Sequence, residues 1–195
     1  MSGADRLRWD EVYGGMNNEP YPPPDPLLFD YTPPINDEAE HRALDLACGM
    51  GQNGLWLASQ GYVVDLLDVS RIALLRAQSE ATKRGLRELN IIPVDLDQHE
   101  LPADHYELVS VFRYLKRDLF PALRHTIRPG GRILYETFNR RYLQLVPGFN
   151  PTYLLEVGEL VGYFADWNVL SYGEDSHLSR IIAVKPTTEE IKKVE

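Results

Sequence analysis

The run Gly49-Met50-Gly51-Gln52-Asn53-Gly54 constrains this chain more than any other feature. It fits G-x-G-x-x-G, with an apolar strand-like stretch before it and a helix-forming stretch after it. Glycines in such a turn let backbone approach a ligand and let the helix pack tightly on its strand. Around this turn the chain alternates. Arg42 to Ala47 reads as a strand, and Gln52 to Gln60 as a short helix stopped at Gly61. Tyr62 to Leu67 reads as a second strand. Ser70 can cap the next helix, whose Ile72, Ala73, Leu75, Ala77 and Ala81 keep helical spacing until Gly85. Leu89 to Val94 and Tyr106 to Phe112 read as the third and fourth strands. Leu119, Leu123 and Ile127 predict a helix with Pro121 in its first turn, stopped by Pro129-Gly130-Gly131. Arg132 to Tyr135 reads as a fifth strand, followed by a helix near 153–164 and strands near 167–172 and 179–185.

Strands separated by helices imply a parallel sheet covered on both faces. The last two strands are too close for a helical crossover and should pair antiparallel. The expected fold is therefore α/β: a doubly wound, Rossmann-like sheet of about seven strands, mostly parallel with an antiparallel last strand. Seven prolines between Pro20 and Pro34 predict an extended or turning connector, because proline lacks the amide proton and fixes φ. It would join an N-terminal helical arm, about 5–16, to the rest. Residues 1–34 are thus expected to form arm and connector, and 35–195 one globular domain. A length of 195 residues suits one domain with a full core.

Three acids bear on what the turn holds. Asp45 stands four residues before the first glycine, near the carboxyl end of its strand. A carboxylate there would repel a dinucleotide pyrophosphate but attract the ammonium and sulfonium of S-adenosylmethionine. It can also bond the amides of the turn itself. Asp68 ends the second strand about 20 residues after the glycines, where an acid can take ribose hydroxyls or cap the following helix. Asp65, three residues earlier, points to the opposite face. Asp95 follows the third strand and can accept from an adenine amino group with Leu96 against the ring, or be a solvated turn acid.

With these residues in place, the chain resembles class I S-adenosylmethionine-dependent methyltransferases from about residue 40 to 185. The matching segments are Ala43 to Asn53, Val64 to Ser70, Val94 to Leu96, Tyr106 to Phe112 and Leu123 to Glu136. It looks closest to small bacterial methyltransferases of the tellurite-resistance and thiopurine type. The resemblance implies Asp45, Ala47 and Gly49 around the methionine end, with Gly51 and Asn53 in the same turn. It implies Asp68, with Val69 beside it, on the ribose, Asp95 and Leu96 at the adenine, and Phe112 facing cofactor or acceptor. Trp9 and Tyr13, four apart on one helical face, look similar to N-terminal aromatics that reach the cofactor in related enzymes; packing of the arm is the competing account.

The acceptor is harder to read. Candidates beyond the fourth and fifth strands are Arg113, Tyr114, Glu136 and Asn139, with His177 and Arg180 from the final hairpin. Phe138 to Tyr153, with Pro147, Gly148 and Pro151, has the composition of a lid. Methyl transfer from a sulfonium has a neutral leaving group, so alignment and water exclusion can carry it and no base motif is required. The expected acceptor is a small molecule such as a thiol or oxyanion. RNA or protein methylation, a cofactor-binding module without catalysis, and a dinucleotide oxidoreductase are the other readings. Acidic residues exceed basic ones, 29 to 20, which argues against nucleic acid as a partner. Lys83, Arg84, Arg87, Arg140 and Arg141 are the candidates for a local basic patch, with solvated helix and loop ends as the competing account. No membrane span, secretory signal or metal-ligand set is expected, and the single cysteine, Cys48, fits a reducing cytoplasm.

Overall fold

The computed structural model describes residues 3–16 and 19–191; residues 17 and 18, between the expected arm and the proline-rich run, and both chain ends lie outside the described residues. Seven strands run in the sheet order β3-β2-β1-β4-β5-β7-β6. They are β1 (Arg42–Leu46), β2 (Val63–Asp68), β3 (Leu89–Pro93), β4 (Tyr106–Phe112), β5 (Ile127–Phe138), β6 (Asn168–Gly173) and β7 (Leu178–Val184). β1, β2 and β3 pair in parallel, as do β4 and β5, while β7 pairs antiparallel with both β5 and β6. This is the expected Rossmann-like α/β fold, with the antiparallel last strand inserted between its neighbours. No helix among the described residues is long and apolar enough to cross a membrane.

The described residues form two compact units, one ending at Glu100 and the other beginning at Leu101. In the first, Ala43, Leu44 and Leu46 of β1 and Val64, Leu66 and Leu67 of β2 are buried on both faces of their strands, as parallel pairing between helices requires. Helix α1 (Gly3–Gly15) is the arm. Helix α2 (Leu27–Tyr31) falls inside the proline-rich connector, where only extended or turning chain was expected. The prolines explain it: Pro26 immediately precedes the helix, and none occurs again until Pro33. A helix start has no use for the missing amide proton. Asp25 Oδ1 accepts from the Leu27 amide at 3.1 Å, and Leu28 anchors the helix with full burial.

Helix α3 (Gln52–Ser59) follows the glycine turn, and α4 (Arg71–Arg84) follows β2. Ser70 caps α4 as expected, its hydroxyl accepting from the Ala73 amide at 3.2 Å, and Gly85 ends it at φ +69.

In the second unit the Pro129-Gly130-Gly131 run does not stop the helix: the helix already ends at Thr126, Ile127 starts β5, and the run lies within that strand. Pairing with β4 jumps from Tyr106–Ile127 to Leu108–Arg132, so the run is a bulge. Gly131 must be glycine there, because a Cβ would sit 2.9 Å from the Arg128 carbonyl and 3.0 Å from that of Glu107. Helix α5 (Phe120–Thr126) carries Pro121 in its first turn, as expected.

The single helix expected near 153–164 is broken. A 3-10 turn (Pro151–Tyr153) and the four-residue α6 (Glu159–Gly162) flank extended chain. The Leu155 amide donates to the Phe138 carbonyl at 3.0 Å, and the Arg140 amide to the Leu155 carbonyl at 2.9 Å. These bonds use the groups a helix would need. A last short helix, α7 (Thr188–Ile191), was not anticipated.

Removing the cap should weaken α4 locally. Ser70→Ala is expected to cost about 1 kcal/mol, read as a lower urea midpoint with unchanged m-value.

Candidate functional site

The glycine turn is built by three residues in the left-handed region: Ala47 at φ +54, Gly49 at φ +54 and Gly51 at φ +79. For Ala47 that conformation costs about 1–2 kcal/mol, so the surroundings must hold the turn. They do so through two buried carboxylates. Asp45 Oδ2 accepts from the Gly54 amide, in the first turn of α3, at 2.8 Å. Asp68 accepts from the Gly49 amide through Oδ2 and from the Ser70 amide through Oδ1, both at 2.8 Å. One acid thus closes β1 onto α3, and the other joins the turn after β1 to the start of α4. Gly54 makes the first contact possible. A Cβ there would meet Leu66 Cδ2 at 2.1 Å and Asp45 Cβ at 3.1 Å, so no larger residue lets α3 come this close.

Burial pushes the Asp68 carboxyl above its ordinary pKa, against the opposing pull of the Ser70, Gly49 and Val69 amides. Burial, with Asp45 and Asp68 as neighbours, also holds the Cys48 thiol well above its usual value, so it stays protonated.

The arm reaches this turn. A Cβ on Gly49 would stand 2.4 Å from the Tyr13 hydroxyl. Trp9 and Tyr13 stack with ring centroids 5.9 Å apart. Burial, then the charges of Asp68, Cys48 and Asp45, raises the Tyr13 pKa, so it stays a phenol and a donor. Polar contacts fasten the segment. Asp10 Oδ1 accepts from Ser70 Oγ at 2.7 Å and from the Ile72 amide at 3.2 Å. Arg76 Nη1 donates to the Met16 carbonyl at 2.8 Å, Tyr21 donates to the Met50 carbonyl, and the Asp25 amide donates to Asn53 Oδ1 at 2.8 Å.

Beyond β3, Asp95 Oδ1 accepts from the Asp97 amide at 3.0 Å and Leu96 is buried. The Val94 amide bonds the Asp68 carbonyl at 2.9 Å, which ties this turn to β2. So Asp45, Ala47, Gly49, Gly51, Asn53, Asp68, Val69 and Tyr13 come together, with Asp95 and Leu96 in the adjoining turn. Asp65 instead accepts from Asn90 Nδ2 at 2.7 Å.

In the second unit, Phe112 ends β4 half-buried and Arg113 follows at φ +59. Its Nη1 pairs with Glu136 Oε1, and its amide donates to the Glu136 carbonyl at 2.8 Å. Its guanidinium lies 5.6 Å from the centroid of Phe138. Phe138 stacks on Tyr142 at 4.1 Å, with His177 at 6.1 Å and Phe149 edge-on at 6.2 Å. Asn139 and Arg180 turn to other partners. Asn139 Oδ1 accepts from the Arg141 amide at 3.0 Å, and its Nδ2 donates to Glu174 and Ser179 at 3.3 Å. Arg180 pairs with Asp175. The Tyr114 carbonyl accepts from the buried Tyr135 hydroxyl at 2.8 Å.

Sequence reasoning missed Asp10, Tyr21 and Arg76, whose partners lie 29 to 62 residues away in the chain. It also missed the ring cluster, because Tyr142 and Phe149 sit in a segment without periodicity.

The donor set fits S-adenosylmethionine. Carboxylates stand at the last or last-but-one position of two adjacent strands, and Asp45 already bonds the start of α3, where a pyrophosphate would need to sit. The family model described as "Tellurite resistance protein TehB" matches residues 38–181. The chain belongs to the TehB family, within the class I S-adenosylmethionine-dependent methyltransferases. It is 26% identical over 141 residues to the probable S-adenosyl-L-methionine-dependent methyltransferase TehB of Haemophilus influenzae, covering 69% of this chain and 48% of that one. It is 23% identical over 168 residues to the thiopurine S-methyltransferase of Vibrio parahaemolyticus, covering 77% and 76%. A solved structure titled "Conversion of a Disulfide Bond into a Thioacetal Group during Echinomycin Biosynthesis" superimposes with TM-score 0.70 at 21% identity, covering 97% of this chain and 95% of that one. The chain spans about half the length of the first curated relatives it matches.

The raised Asp68 pKa sets a pH dependence. A carboxyl raised in the folded state favours folding most below its ordinary pKa, and this contribution is lost as pH rises through the folded value. A cofactor held by the ionised acid would titrate the other way. S-adenosylhomocysteine affinity is therefore expected to rise with pH through the raised Asp68 pKa, and this rise to vanish in Asp68→Asn, as measured by calorimetry at a series of pH values.

Proposed function

We propose that this chain transfers the methyl group of S-adenosylmethionine to a small-molecule acceptor by in-line displacement. The observation that carries the reading is Asp45: its carboxylate accepts from the Gly54 amide beside a glycine turn strained open at Ala47. That turn favours a ligand with a cationic end over one with a pyrophosphate. When bound, S-adenosylmethionine supplies an electrophilic methyl on a sulfonium that leaves as a neutral thioether.

The residues then divide the work. Asp45, Ala47, Gly49, Gly51 and Asn53 bind the methionine end. Asp68, with Val69, takes the ribose, and Asp95 with Leu96 the adenine. Trp9 and Tyr13 cover the turn from the arm, and Phe112 is the further residue that the family resemblance assigns to cofactor or acceptor. Arg113, Tyr114 and Glu136 belong to the acceptor side. A neutral leaving group needs no protonation, so these residues act by alignment and by excluding water. A thiolate or oxyanion acceptor needs no base either.

The name of the Vibrio parahaemolyticus relative, a thiopurine S-methyltransferase, supports a small acceptor. So does the engagement of the basic groupings. Lys83 and Arg84 pair with Glu80 at 3.5 and 3.0 Å, and Arg140 pairs with Glu156 at 2.7 Å. These pairs weaken, without abolishing, the pull on a phosphate backbone.

Calorimetric titration with S-adenosylhomocysteine and, separately, NADH tests the reading. Micromolar binding of the former only, weakened at least tenfold in Asp68→Ala, is expected. Binding of NADH in its place would overturn it.

A further inference from the structure

The ring cluster of the second unit lies around a cation. Arg113 is held at φ +59, a conformation unfavourable for any residue with a branched or long side chain. Strain of this kind persists where a side chain must be aimed, and here two contacts to Glu136 hold it. The Glu136 side chain is only 6% exposed, whereas that of Arg113 is 40% exposed. The buried acid therefore fixes a guanidinium that solvent still reaches.

Only Nη1 of that guanidinium is engaged. Among the described residues, Nε and Nη2 have no hydrogen-bond partner. Below it lies Phe138, and Tyr142, Phe149 and His177 continue the aromatic surface, all four half-exposed. Closely stacked rings with open edges suit another flat ring. Two unpaired donors in a planar fork suit an anionic group attached to it.

We propose that Arg113, Phe138, Tyr142, Phe149 and His177 form a binding site for a planar aromatic ligand carrying a negative charge. Its role as the acceptor site rests on the methyl-transfer reading; the binding itself does not. The rings select for a flat ligand, Arg113 selects for charge, and Glu136 positions Arg113.

Fluorine NMR on the full chain tests this with three probes: 4-fluorobenzoate, 4-fluorobenzamide and monofluorophosphate. Each is titrated with and without saturating S-adenosylhomocysteine, so failure of the cofactor reading is seen separately. Saturable binding of 4-fluorobenzoate is expected, with an upfield ring-current shift and at least tenfold higher affinity than either other probe. Arg113→Asn tolerates the positive φ and should bring benzoate down to the benzamide level. Tyr142→Leu should shrink the ring-current shift of both aromatic probes. Benzamide binding as well as benzoate would mean a merely apolar cluster, and monofluorophosphate binding as well would mean a bare cation. Either result, or no saturable benzoate binding to the wild type, overturns the proposal; the wild-type comparison decides even if a variant fails to fold.

Discussion

Two backbone amides, those of Gly49 and Ser70, converge on the carboxylate of Asp68, and the first unit is arranged around that convergence. One amide belongs to the turn after β1 and the other precedes α4. A buried carboxylate is costly unless hydrogen-bonded, so each amide is both satisfied by Asp68 and required by it. Asp45 repeats the device one strand over with the Gly54 amide. Together the two acids hold Ala47, Gly49 and Gly51 in the left-handed region, which no local preference of Ala47 would supply. The same burial that makes these bonds strong raises the Asp68 pKa, so the scaffold and the titration of the site share one cause.

The arm is attached differently. Leu7 and Val12 of α1 are exposed, and the stacked rings of Trp9 and Tyr13 are what the helix turns toward the glycine turn. Hydrogen bonds at Asp10 and Met16, and at Tyr21 and Asp25 of the connector, fasten it further to the first unit. Bonds of this kind contribute about 1 kcal/mol each and depend on geometry, whereas the apolar burial of β1 and β2 does not.

In the second unit the broken stretch between β5 and β6 follows from competition for backbone groups. Leu155 bonds to the Phe138 and Arg140 backbones, Gly158 sits at φ +86, and Arg117 gathers the Thr152 and Leu154 carbonyls. Once these bonds form, helix cannot run through the segment. The aromatic side chains of Tyr142 and Phe149 then pack on Phe138, at the end of β5.

By itself, the sequence determined the alternation of strands and helices, the Ser70 and Gly85 caps, the antiparallel final pair and the glycine turn with its acids. Each is written in local chemistry: period-two or period-3.6 apolar spacing, a capping hydroxyl, a residue lacking Cβ, a carboxylate at a strand end. Only the tertiary structure decided that Pro129-Gly130-Gly131 is a bulge inside β5, that α2 forms within the proline-rich connector, and that the expected helix near 153–164 breaks. It alone brought Asp10 to Ser70, and Phe138 together with Tyr142, Phe149 and His177. The reason is range. A backbone group or a ring takes whichever partner completes its hydrogen bonds or covers its surface, and for these residues that partner lies far along the chain, where no local pattern records it.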